Sequence, residues 1–96
     1  MPEDCVQPFH MFYLLLPSLD ARQSLAAHLR ALGILAVSHY VPLDSSPYGR
    51  RVGRAPLGCP VTADIADRLL RLPLFFDLTD DDQSRVIDGT RAFRVV

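Results

Sequence analysis

The sequence contains no lysine: all ten of its basic residues are arginine. No side chain therefore offers a primary amine for imine formation, and arginine is no substitute because its guanidinium stays protonated. Cysteine is scarce as well. Cys5 and Cys59 are too few for a disulfide framework, and in a reducing cytosol both are expected as thiols. No CxxC or HxxxH pair occurs, so His10, His28 and His39 with the two cysteines read as scattered residues rather than zinc ligands. There is no GxSxG elbow to present a nucleophilic serine. Gly49 and Gly53 lead into Arg54, which does not make a phosphate loop. No apolar run approaches the ~20 residues that cross a bilayer. The longest, Met11 to Leu16, has the length of a strand. The opening Met1-Pro2-Glu3-Asp4 lacks the positive start of a signal peptide, so a cytoplasmic protein is expected. A net charge of -1 leaves no basic excess to displace counterions from nucleic acid.

What is present fits one small globular domain. Hydrophobic residues make up 49% and charged residues 22%, too apolar and too weakly charged for disorder. A chain of this length buries only ~60–65% of its unfolded surface, so its stability is marginal unless a partner covers more.

Phe9 to Leu16 (FHMFYLLL) reads as a strand buried on both faces or nearly so, stopped by Pro17. Asp20 with Gln23 forms a capping-box pattern for a helix whose Leu25, Leu29 and Leu32 share a face, and Gly33 suits its left-handed stop. Ile34 to Val41 reads as a second strand ended by Pro42. Residues 42–61 hold four prolines and three glycines without periodicity, which predicts a long loop of the functional or mobile kind. Thr62 can cap a short helix to about Leu70, with Ile65 and Leu69 on one face. Leu72 to Phe76 is an extended connector. Thr79 opens the last helix, with acids 80–82 in its first turn and Val86, Ile87, Thr90 and Phe93 as its inward stripe. Two strands make a poor sheet, so a third is expected near Leu74–Phe76, or else a sheet edge offered to a partner.

Two stretches carry candidate site residues. Tyr48 to Arg54 brings Arg50, Arg51 and Arg54 onto one loop, where forked guanidinium groups can clamp a pyrophosphate; a solvated loop is the plainer alternative. His39-Tyr40 lies at a strand end entering the long loop, where ligand groups often sit; a satisfied core histidine is the alternative.

His39-Tyr40-Val41-Pro42-Leu43, followed by Arg68-Leu69-Leu70-Arg71-Leu72-Pro73-Leu74-Phe75, resembles the C-terminal signature of the DegT/DnrJ/StrS-type sugar aminotransferases. His10-Met11-Phe12-Tyr13 and the closing Leu78-Thr79-Asp80-Asp81-Asp82-Gln83 extend the likeness over about His10 to Phe93, most like the TDP-4-oxo-6-deoxyglucose transaminase branch. The resemblance implies an α+β fold: a small two-layer domain, with a short, mainly antiparallel sheet and three helices, like the C-terminal domain of fold type I pyridoxal phosphate enzymes. Residues 1–8 would be an extension, 9–96 that small domain, and the large cofactor-binding domain would be absent. In the intact family an amino group passes to a keto sugar on a nucleoside diphosphate, at sites between two subunits. By analogy His39 and Tyr40 would lie by the substrate, with Tyr48, Arg50 and Arg51 bordering its phosphates or sugar. Asp44 departs from the family's usual histidine after Pro-Leu, and its anion would repel a phosphorylated ligand. The missing lysine means that this chain alone would bind no pyridoxal phosphate and hold no catalytic residue. It would need a separate large domain, or would serve instead as a nucleotide-sugar-binding or regulatory module, or would associate with itself. Surfaces that a large domain covers would appear as an exposed apolar patch of more than a few hundred Å².

Overall fold

The computed structural model describes residues 2–94. Its elements run β1 (Phe12–Leu15), α1 (Leu19–Ala31), β2 (Val37–Ser38), α2 (Pro47–Val52), α3 (Pro60–Arg68), β3 (Leu69–Leu72) and α4 (Asp80–Ala92). The fold is α+β, with a three-stranded antiparallel sheet in the order β1-β3-β2. Four helices are described rather than the three expected, because α2 forms inside the stretch read as loop. Pro47 stands at its start, where a missing N–H costs nothing, and the Ser46 hydroxyl accepts from the Gly49 N–H.

The third strand exists but lies earlier than Leu74–Phe76. Leu69 to Leu72 take the centre of the sheet, pairing Leu70 with Leu14 on one side and with Ser38 on the other. Pro73 has no N–H to continue the ladder, and Phe75 and Phe76 beyond it are exposed. The helix expected to run to Leu70 therefore stops at Arg68. It starts at Pro60, and its cap position, Cys59, makes no side-chain hydrogen bond, so Thr62 is not the cap.

β1 is shorter and wetter than expected. It is an edge strand, and Phe12, Tyr13 and Leu15 stay about half exposed. α1 and α4 cover one face of the sheet; on the other, Leu69 is buried while Tyr13 and Leu15 stay about half exposed. Leu14, Leu16, Leu70 and Leu72 join the core with Leu25 and Leu29 of α1, Ile34, Ala36 and Val86.

The cap of α1 lies two residues before the expected one. Ser18, extended at φ -153°, accepts from the Ala21 N–H, and Asp20 sits in the first turn instead. The helix stops as predicted at Gly33 (φ +76°). The Gly33 N–H donates to the Arg30 carbonyl and the Ile34 N–H to the Leu29 carbonyl, at 3.0 and 2.9 Å. This left-handed reversal turns Ile34 back onto Leu29 and starts the path to β2, whose paired part is only Val37–Ser38 of the expected Ile34–Val41.

α4 packs on α1 through Gly89, not through Ile87, which is 46% exposed. A Cβ at Gly89 would stand 3.1 Å from the Ile34 and Leu32 methyls, so the glycine is a point of close approach. One turn away, the His28 Nε2 lies 3.0 Å from the Gly89 carbonyl, a structural partner for that histidine. Thr79 caps α4 as expected, its hydroxyl accepting from the Asp82 N–H at 3.1 Å. Thr79→Ala is expected to cost about 1 kcal/mol in a urea melt, and an unchanged midpoint would contradict the capping role.

Candidate functional site

The chain leaves β2 through His39 and Tyr40, whose rings meet at 4.7 Å between centroids and 58° between planes. Both are exposed, Tyr40 at 76%, so the core-histidine alternative does not apply to His39. Pro42 then turns the chain: the Ser45 and Ser46 N–H groups donate back to its carbonyl at 3.2 and 2.9 Å. The Ser46 hydroxyl donates to the Leu43 carbonyl at 3.0 Å and accepts from Gly49 at 2.9 Å. Here α2 presses on the turn so closely that a Cβ at Gly49 would collide with the Leu43 carbonyl oxygen. The stretch read as an aperiodic loop is thus a folded turn-and-helix unit, built from serine hydroxyls and one obligatory glycine.

Two hollows open on either side of Leu43 and Thr62. The first, about 550 Å³, has His39, Tyr40 and Val41 on one wall and Val61, Ile65, Ala66 and Leu69 on the other. The second, about 710 Å³, is bordered by Asp44, Tyr48, Val52, Arg54 and Cys59. The structure therefore puts His39 and Tyr40 in one hollow and Asp44 and Tyr48 in its neighbour. Arg50 and Arg51 line neither. They occupy successive positions in the last turn of α2, exposed, with the Arg51 guanidinium 6.0 Å from the Tyr48 ring centroid, at the outer limit of a cation–π contact. Arg54, beyond the helix end, is the arginine that borders the second hollow, where Asp44 offsets it. The apolar wall from α3 was missed as a site element. Ile65 and Leu69, four apart, were read as a helix's core face; that spacing was the available signal.

The chemistry these residues offer is recognition. The first hollow presents an imidazole and a phenol over an aliphatic wall, suited to a polar ring stacked on one side. The second presents one guanidinium and one carboxylate. Among the described residues, no three His, Cys, Asp or Glu side chains gather closely enough to hold a metal ion. Cys5 and Cys59 are exposed free thiols. No described helix is long and apolar enough to cross a membrane.

The chain is similar to known proteins in sequence and in fold. Over 86 residues the chain is 29% identical to a UDP-N-acetyl-3-dehydro-alpha-D-glucosamine 3-aminotransferase of Acidithiobacillus ferrooxidans, covering 90% of this chain and 23% of that protein. The crystal structure of a DegT DnrJ EryC1 StrS aminotransferase from Brucella abortus superposes with a TM-score of 0.64 and 35% identity, over 73% of this chain and 19% of that one. The chain thus spans about a quarter or less of the length of these relatives. Residues 2–91 match the DegT/DnrJ/EryC1/StrS aminotransferase family, and the chain belongs to it.

Proposed function

We propose that these residues act as the small C-terminal domain of a nucleotide-sugar aminotransferase, docked on a cytoplasmic body that binds pyridoxal phosphate. The observation that carries this reading is the amount of surface left open. A compact monomer of 10.7 kDa exposes about 5,500 Å²; this chain exposes 7793 Å². Its radius of gyration is 15.9 Å, against about 12.5 Å for a compact domain of this length. Among the described residues, eight hydrophobic side chains are buried while twenty large ones are exposed. A surface of that kind resembles a core cut in two, which water penalises until another body covers it.

Pyridoxal phosphate does not fit this chain. The cofactor is held covalently by a lysine amine, and the sequence has none. The cofactor chemistry belongs to the docked body. Residues 9–96 contribute a wall. His39 and Tyr40 face the sugar, while Tyr48 and Arg54 border the phosphates; Arg50 and Arg51, outside both hollows, would reach the phosphates only from the exposed end of α2. Asp44 tunes which sugar nucleotide is admitted. The family membership supports an amino-sugar product, and the relative's UDP-linked substrate supports a nucleoside-diphosphate carrier. A TDP-4-keto-6-deoxy sugar is the substrate suggested by the signature residues.

The test is to co-produce the chain with the part of the Acidithiobacillus enzyme outside its matched segment. A stable complex with the visible absorbance of bound cofactor is expected. A folded chain that never joins the complex would refute the proposal. A stand-alone nucleotide-sugar-binding module is the second reading, favoured by the two adjoining hollows. Titration calorimetry of the chain alone with a TDP-sugar separates the two: heat at or below millimolar ligand supports the module, and silence supports the dependent domain.

A further inference from the structure

The face of the sheet opposite α1 carries an arginine that no group among the described residues satisfies. Strand alternation sends Leu70 and Leu72 into the core and leaves Arg71 on the opposite side, in register with Tyr13 on β1 and Val37 on β2. Leu15 lies beside this row, opposite Leu69. Tyr13, Leu15 and Val37 are each more than 40% exposed. Three arginines are half-buried: Arg22, Arg68 and Arg71. Arg22 donates to the Ala66 carbonyl at 3.0 Å; Arg68 donates to the Leu16 carbonyl at 3.3 Å and pairs with Asp64 at 2.7 Å. Arg71 has neither a hydrogen bond nor an ion pair among the described residues. Asp82, which borders the same end of the sheet, is taken by Arg85 at 3.2 Å.

We infer that this face docks an apolar surface of the cofactor-binding body that carries one carboxylate, and that the carboxylate pairs with Arg71. The inference rests on the small-domain reading above and names the contact through which the domain docks. Covering Tyr13, Leu15 and Val37 removes water from Arg71, and a buried guanidinium without an acceptor is strongly disfavoured. A neutral apolar partner would leave it stranded. A second copy of this chain fits poorly, because the rows Tyr13–Arg71–Val37 and Leu15–Leu69 contain no acidic residue to offer it. An opposing carboxylate satisfies the fork with two parallel hydrogen bonds and sets the register of docking.

The absence of lysine makes the contact directly testable. In Arg71→Lys, position 71 holds the only side-chain amine in the chain. A water-soluble carbodiimide, which condenses an amine with a touching carboxylate into an amide, then reports what faces it. The probe is the Acidithiobacillus enzyme's remainder, co-produced with this chain so that neither part has to fold alone. The expected result is an amide between position 71 and one Asp or Glu of that remainder. Arg71→Glu and, independently, Leu15→Arg should each weaken the complex by about 30-fold or more. Leu15 is about half exposed and Arg71 half-buried in the free chain, and an unchanged far-ultraviolet dichroism spectrum confirms the fold. A complex indifferent to both substitutions and giving no amide overturns the inference while the small-domain reading stands. A folded chain that forms no complex removes the reading and the inference together. A homodimer dissolved by Leu15→Arg overturns the inference in favour of a second copy.

Discussion

Leu29→Ala should leave the chain barely stable and lower its melting temperature steeply. Leu29 has no exposed surface and sits where α1, the reversal into β2 and α4 converge, touching the close approach at Gly89. Removing a buried leucine down to the β-carbon costs 2–5 kcal/mol, the high end applying where surrounding groups cannot collapse into the space. The Schellman reversal at Gly33 and the Gly89 contact hold those neighbours in place, so about 3–4 kcal/mol is expected. A 96-residue domain has about 5–14 kcal/mol in total, and one with so much of its surface uncovered belongs near the bottom. Thermal denaturation followed by circular dichroism checks this. A melting temperature within 3 °C or so of the parent would show that the seven-residue core is not what holds the fold.

Gly49→Ala should abolish the shape of the site while sparing the core. Any side chain at position 49 runs into the Leu43 backbone oxygen, which cannot swing aside as the end of a flexible side chain could. The segment from Pro42 to Gly53 must open, and α2 buries no residue that would resist. The Leu43 wall between the two hollows goes with it. In the complex proposed above, KM for a sugar nucleotide should rise by about tenfold or more, corresponding to at least ~1.4 kcal/mol of lost binding. The melting temperature of the chain should fall only slightly, because α2 contributes nothing to the core. An unchanged KM would remove the turn from the site.

Some of the architecture was readable residue by residue. Thr79 with its acidic first turn, Gly33 after a leucine stripe, and the proline stops are local signals, because capping and chain reversal need only neighbours in sequence. The errors cluster where remote contacts decide. Leu69 to Leu72 carries a leucine run that suits a helix end or a strand alike. It became the central strand because β1 and β2 lie on either side to accept its hydrogen bonds. Asp20 matched a capping box, yet Ser18 holds the extended backbone that a cap requires. Ile87 fitted the inward stripe of α4 by spacing. Gly89 took the contact because the absence of a side chain there lets α4 come close to Leu29, Leu32 and Ile34. The candidate site divides the same way. His39 and Tyr40 were readable as residues at a strand end entering a long connection, whereas the α3 wall opposite them is brought there by the fold.

Composition alone settled the chemical limit of this chain: with ten arginines and no lysine, it cannot form an imine through a side chain, whatever its shape. Its family was likewise written in the order of its short segments. The arrangement of its exposed surface was not. Tyr13, Leu15 and Val37 are apolar residues in strands, and nothing in their spacing distinguishes a buried face from an open one. Packing α1 and α4 on one side of the sheet left Tyr13, Leu15 and Val37 open around Arg71 on the other, because burial depends on which elements meet in space and not on the residues taken singly.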